Sequence, residues 1–220
     1  MIINERSNRP DRALDVAMKM LNAARTAPKG RGFDYVEAAV VTGDDINRLS
    51  DEMLRLFAET GKPVFNRDGH NILKAEAIVL IGVQKKPIGL NCGFCGFPTC
   101  AEKPASAPCA FNGVDTGIAI GSAVALAADL RVDTRVMYSI GVAAMNLEML
   151  GKGVSLVFGI PVSCSSKNPF FDRQPRLWLL SVDAGSVVVA AVGVVLPELA
   201  AICAASFEPF LWRDIITLVR

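Results

Sequence analysis

Four of the six cysteines in this 220-residue chain fall within eighteen positions. Cys92, Cys95, Cys100 and Cys109 lie in NCGFCGFPTCAEKPASAPC, a C-x2-C-x4-C-x8-C spacing. Three thiolates from one tight loop can wrap a face of a cubic iron–sulfur cluster, and a fourth from farther along the chain closes it. Zinc also takes four thiolates, usually from two separated C-x2-C pairs. This chain has one such pair, so the spacing points to a four-iron four-sulfur (4Fe-4S) cluster. Structural zinc that fixes a loop for protein contact is the alternative, and unligated thiols are a third reading. Gly93 and Gly96 lack the β-carbon that resists positive φ, so they can turn backbone N–H groups toward cluster sulfides. Phe94 and Phe97 are expected to shield the centre from water. Lys85, Lys86 and Lys103 either offset its negative charge or form a solvated rim.

Other chemistry is thinly supplied. His70 is the single histidine, so a multi-histidine metal centre is excluded and any Ser-His-Asp arrangement depends on that residue. Lys and Arg number 23 against 22 Asp and Glu, a net charge of +1 that gives no general attraction to nucleic acid. The first residues, MIINERSNRPDR, contain no apolar signal core, so reduced thiols in a cytoplasm are expected rather than disulfides. Cys164 and Cys203 stand alone in small or apolar company and read as small buried hydrophobes. With 51% hydrophobic residues the chain can bury a substantial core.

Elements that must position the cysteines follow from the periodicity. Ser7 or Asn8 caps a helix through Arg25, with Leu14, Ala17, Met18, Leu21 and Ala24 on one face. The basic turn KGRG (29–32) follows; it is either an ordinary turn or a phosphate site built from Lys29, Arg31 and backbone N–H groups. Tyr35 to Val41 suits a strand, and a helix starts near Asp45 and stops at Gly61 and Pro63. After a polar stretch containing His70, Ala77 to Val83 (AIVLIGV) reads as a fully buried strand. A helix from Asp115 to Leu130 repeats glycine at 113, 117 and 121 beside alanines at 119, 123 and 127, a surface for tight helix packing or for a flat ligand. Asp133 is expected to cap a helix to Leu150 with Val136, Ile140, Ala143, Ala144 and Leu147 inward, and Val154 to Ile160 is a third strand. Helices alternating with short apolar strands give an α+β fold, an α/β sandwich. From Gln174 the chain changes character: residues 174–220 read as an apolar extension of unknown role. A packed or poorly ordered extension is preferred there to a membrane contact, because Pro197 and Glu198 interrupt the stretch.

The segments NCGFCGFPTC, PCAFNGVDTGIAIGSAVALAADLRVDTRVMYSIGVAA and GIPVSCSSKNPFFDR together resemble the uncharacterised ferredoxin-domain-containing proteins of bacteria and archaea. The likeness runs over residues 5–173, within a domain taken as 1–173 with the cluster loop at 90–110. It implies an iron–sulfur protein of electron transfer or of an oxidoreductase, with the motif carried by Cys92, Cys95, Cys100 and Cys109.

A second likeness is to the flavin-dependent nitroreductases. It rests on R-S-x-R (Arg6, Ser7, Arg9), AARTAPKGRG before a strand, VVTGDD before a helix, and Asp-x-Gly at Asp115. This likeness implies a mixed sheet flanked by helices and a homodimer with FMN near the subunit boundary, where Arg6, Ser7 and Arg9 meet the flavin. The redox partner is then that flavin or another protein. Lys29 and Gly32 depart from the nitroreductase pattern, which has serine and asparagine there. Without the likeness, the same residues read as a helix cap beside two solvated arginines.

Overall fold

A computed structural model describes residues 1–166 and 168–170; the expected extension at 174–220, with Cys203, lies outside the described residues. Four strands, β1 (Val36–Val41), β2 (Ala77–Gln84), β3 (Asp133–Thr134) and β4 (Val154–Ser163), form one sheet in the order β1-β2-β4-β3. Where the sequence led us to expect a mixed sheet, every strand pairing among the described residues is antiparallel.

β2 is central and buried along its length except at Gln84, because helices cover both faces of the sheet. Its side chains alternate between two cores. Ala77, Val79 and Ile81 join Ile160 and Val162 beneath α1 (Arg9–Thr26) and α4 (Ala110–Asp129). On the other face Ile78, Leu80 and Val157 meet α2 (Asp44–Thr60), α3 (Pro63–Ile72) and α5 (Tyr138–Asn146). The result is the α+β sandwich expected from the sequence.

Several elements depart from the periodic reading. α1 buries Ala13, Val16, Ala17, Met20 and Ala24, while Leu14 and Met18 face solvent. The alanine row lets α1 approach Ala119, Ala123 and Ala127 of α4 closely, and that approach turns the larger side chains outward. α3 was not expected. Pro63, read as a stop, sits in the first turn of a new helix, where its missing N–H costs nothing.

Asp133 opens β3 rather than capping a helix, and Val136 is exposed. Arg131, at φ 59°, closes the preceding helix, and the chain then pairs with Val162 and Ser163 before α5 starts at Tyr138. α5 lies so close to β4 that a β-carbon on Gly141 would fall 1.6 Å from the Val157 carbonyl oxygen.

Candidate functional site

The cysteines occupy the connection between the end of β2 and the start of α4, and its root is clamped from two sides. Asn112, in the first turn of α4 and only 3% exposed, donates its Nδ2 hydrogens to the carbonyls of Gln84 (3.1 Å) and Lys86 (2.9 Å). One turn further along α4, both oxygens of buried Asp115 accept the Gly30 N–H at 3.0 and 3.1 Å. Arg31 then reaches from that turn to the Gly89 carbonyl at 3.1 Å and the Ile88 carbonyl at 3.4 Å. KGRG thus works as a buttress for the cysteine connection. Of the two readings of KGRG the structure agrees with the ordinary turn: the Lys29 ammonium, a phosphate ligand in the other reading, lies on the Ala24 and Arg25 carbonyls, where the C-terminal end of α1 attracts a cation. Burial pushes the Lys29 pKa down.

Within the connection, Gly93 (φ 74°) and Gly96 (φ 85°) have the expected left-handed backbone. The Gly96 N–H closes a turn on the Gly93 carbonyl at 2.9 Å. Asn91, itself at φ 49°, accepts the Cys100 N–H at 2.8 Å and so ties the chain at the first cysteine to the third in one curl. Cys109 is the N-cap residue of α4, whose free N–H groups favour negative charge.

All four cysteines are free, half-buried, and line one cleft together with Phe97, Lys103 and Phe111. Phe94 does not shield it: it stacks on Phe111 at 5.6 Å between ring centroids but is 74% exposed. Of the three lysines only Lys103 borders the cleft, with its ammonium held by the Pro104 and Ala107 carbonyls. Among the described residues, no three His, Cys, Asp or Glu side chains gather closely enough to hold a single ion.

Arg6, Ser7 and Arg9 lie at the far end of α1 from the cysteines. α1 and α4 run antiparallel: Gly30, just beyond α1, meets Asp115, while Ala23 accepts the Ser122 hydroxyl at 2.9 Å. The rise from Arg9 to the end of α1 is about 25 Å, so a helix length separates this trio from the cysteines of the same chain. Arg9 pairs with Glu5 at 3.1 Å, Arg12 joins the same carboxylate at 3.2 Å, and the Ser7 hydroxyl donates to the Asn4 carbonyl. Asn8 is the N-cap, with no side-chain capping bond. Cys164 lies at this same end, and burial, seconded by the Glu76 carboxylate, pushes its thiol pKa up. His70 is exposed on α3 with Nδ1 at 2.8 Å from the Asn66 carbonyl.

The small-residue pattern of α4 resolves into two faces. Ala119, Ala123 and Ala127 pack inward, which meets the tight-packing expectation. Gly113, Gly117 and Gly121 look into open space, beside exposed Val114 and Ile118. α4 also begins five residues before the expected Asp115. Asn112, unremarked in the sequence, and Asp115, read there only as a helix start and as part of the Asp-x-Gly likeness, form in hindsight a polar pair in the opening turns of an otherwise apolar helix.

Residues 105–173 match the family model described as "Uncharacterized protein containing a ferredoxin domain (DUF2148)". An "Uncharacterized protein" of Archaeoglobus fulgidus is 40% identical over 186 residues, covering 80% of this chain and 100% of its own. Among solved structures, a nitroreductase with bound FMN from Desulfitobacterium hafniense DCB-2 superposes with a TM-score of 0.51 at 13% identity, over 76% of this chain and 81% of its own. A nitroreductase with bound FMN from Bacteroides fragilis NCTC 9343 gives 0.50 at 14% identity, over 80% and 87%. At such identities the structural likeness establishes the fold, which is that of the nitroreductases. By the full-length archaeal relative and the matched segment that carries Cys109, the chain belongs to the family of uncharacterized proteins containing a ferredoxin domain.

Proposed function

We propose that this protein is a redox protein in which Cys92, Cys95, Cys100 and Cys109 hold a 4Fe-4S cluster and exchange single electrons with a flavin or a partner protein. One observation carries the reading: four thiols spread over eighteen positions line a single cleft whose root is clamped to α4. The donor set fits the group. A mononuclear zinc site needs its four sulfurs within about 3.8 Å of one another. A cube with one thiolate on each iron asks for a wider ring. The thiols border one cleft, and the single C-x2-C pair with three ligands in one loop favours the wider ring.

When bound, such a cluster supplies a one-electron couple. The chain's own residues set its surroundings. Asn91 fixes the backbone of Cys100, Phe97 and Phe111 wall the cleft against water, and Lys103 brings positive charge to its rim. We place the protein in a reducing cytoplasm, where thiols stay available to such a cluster.

The flavin reading concerns FMN at Arg6, Ser7 and Arg9, and it is tied to a homodimer. Within one chain that trio is a helix length from the cysteines. A second copy, its α4 laid antiparallel on the open Gly113, Gly117 and Gly121 face, would bring the start of one α1 toward the other copy's cleft. The bound FMN of the nitroreductase-fold neighbours supports this reading by analogy of fold.

Anaerobic reconstitution followed by iron and acid-labile sulfide analysis tests the cluster. About four irons per chain are expected, and stoichiometric zinc with no iron would overturn the assignment. Titration with FMN, with the mass followed by sedimentation, tests the second part. A dimer that binds FMN is expected, and a monomer with no FMN affinity removes the flavin from the account.

A further inference from the structure

The exposed cations of this protein fall into two groups. Arg9, Lys19, Arg25, Arg48 and Arg55 are each paired with a carboxylate. Arg31 and Lys86 are exposed and meet no carboxylate among the described residues. Each lies over an aromatic ring instead, Arg31 at 5.2 Å from the Phe33 centroid and Lys86 at 6.0 Å from that of Tyr35. Phe33 and Tyr35 stack on one another at 6.0 Å. The Asp34 carboxylate between them in sequence is already taken by Arg25 at 2.8 Å.

These rings and cations continue into the cysteine cleft. A β-carbon on Gly30 would lie 3.2 Å from the Phe111 ring, so the turn that carries Arg31 rests against Phe111. Phe111 borders the cleft and stacks on Phe94. A strip of aromatic side chains thus runs from the cleft to the start of β1, with Phe33 and Phe94 exposed on it. Large rings left in water beside cations are the composition of a protein-recognition patch.

Arg31 defines what the partner must bring. Its Nη1 donates to the Ile88 and Gly89 carbonyls, and the Phe33 ring supports the guanidinium from one side. The Nε–H and the two Nη2 hydrogens have no acceptor among the described residues. That edge of a guanidinium grips a carboxylate with two parallel bonds, and here it is already held in place. Lys86 adds a second positive charge to the same strip. An acidic protein surface complements it, and a basic one is repelled.

We infer that the strip docks an acidic one-electron carrier protein, with a carboxylate of the carrier on the Nε and Nη2 edge of Arg31 and with Phe94 in the contact. The carrier's role rests on the redox reading proposed above: the reduced carrier hands one electron to the centre in the cleft, and no bond is made or broken.

Isothermal titration calorimetry on the full-length protein, with its metal content measured, tests this with two probes: an acidic ferredoxin and cytochrome c, a basic carrier. Ferredoxin is expected to bind with a Kd of about 1–50 μM, in keeping with the small interfaces of redox encounters. Raising NaCl from about 50 to about 300 mM is expected to weaken it about tenfold. Lys86→Glu and Phe94→Ser are each expected to weaken it about tenfold. Lys62→Glu makes the same charge change at the exposed residue that caps α3, and is expected to weaken it less than about twofold. Cytochrome c is expected not to bind. Several results overturn the proposal: no ferredoxin binding at about 100 μM, equal binding of cytochrome c, equal effects of Lys62→Glu and Lys86→Glu, or indifference to Phe94→Ser. So does a dimer that Phe94→Ser dissociates, since a second copy then covers the strip. Binding and metal are read on one sample, so the two readings fail separately. Iron-loaded protein that ignores ferredoxin overturns the docking alone, and zinc-loaded protein overturns the redox reading.

Discussion

Replacing Asp115 with alanine removes the anchor between the KGRG turn and α4, and its cost follows from the geometry. Asp115 is 4% exposed, and both of its oxygens take the Gly30 N–H at 3.0 and 3.1 Å. A hydrogen bond to a charged group contributes about 1.5–3 kcal/mol, and the alanine offers no acceptor in its place. Asp115→Ala should therefore lose about 2 kcal/mol, which for a protein of this length is a fall in Tm of about 4–8 °C. Asp115→Asn keeps a carbonyl acceptor and should lose about half as much. Urea unfolding of both variants, with the denaturant slope held constant, reads the two costs.

The same change has a second consequence at the site. Arg31, next in the chain to Gly30, holds the Ile88 and Gly89 carbonyls at the entry to the cysteine connection. Iron retained per chain should fall in Asp115→Ala even at temperatures where the fold persists. An unfolding midpoint equal to wild type would refute the stability argument. Unchanged iron in a destabilised variant would refute the buttress.

Three further outcomes are expected. Gly141→Ala should cost about 3 kcal/mol or more in urea unfolding, since its β-carbon would meet the Val157 carbonyl of β4 and a backbone atom cannot step aside. Glu52, whose pKa is held down first by its hydrogen bond to Arg55, contributes stability that is complete above the unfolded carboxylate value and is lost as pH falls through its lower folded one. Glu52→Gln should lose about 0.5–1 kcal/mol at pH 7 and nothing once Glu52 is protonated, as thermal melts from about pH 7 to pH 3 would show. Cys164→Ser should leave iron content at the wild-type level, because Cys164 lies near Arg9 and Glu76 at the end of the sheet away from the cleft; a loss of iron there would mean the wrong cysteines have been chosen.

What the sequence could and could not convey follows from the range of each interaction. β2 was legible because seven apolar residues in a row fit only a strand covered on both faces. The cysteine motif was legible because its spacing is local. α3 was hidden because Pro63 signals a stop and a start equally well. The inward face of α1 was misjudged because hydrophobicity alone favours Leu14 and Met18, whereas close packing on α4 favours alanine. The roles of Asn112 and Asp115 were hidden because a polar pair at a helix start does not name its partners: these lie 28 and 85 residues away, and only the folded chain brings them together. Phe94 was misjudged because proximity to the cysteines does not fix a side chain's direction: it faces solvent, while Phe111, two residues past Cys109, borders the cleft.

Electron paramagnetic resonance on dithionite-reduced, anaerobically reconstituted protein addresses the central claim most directly. The account predicts a reduced-cluster signal from a single species, lost or converted to a three-iron signal when Cys92, Cys95, Cys100 or Cys109 is individually replaced by serine. A protein that is silent on reduction while carrying one zinc per chain would contradict it.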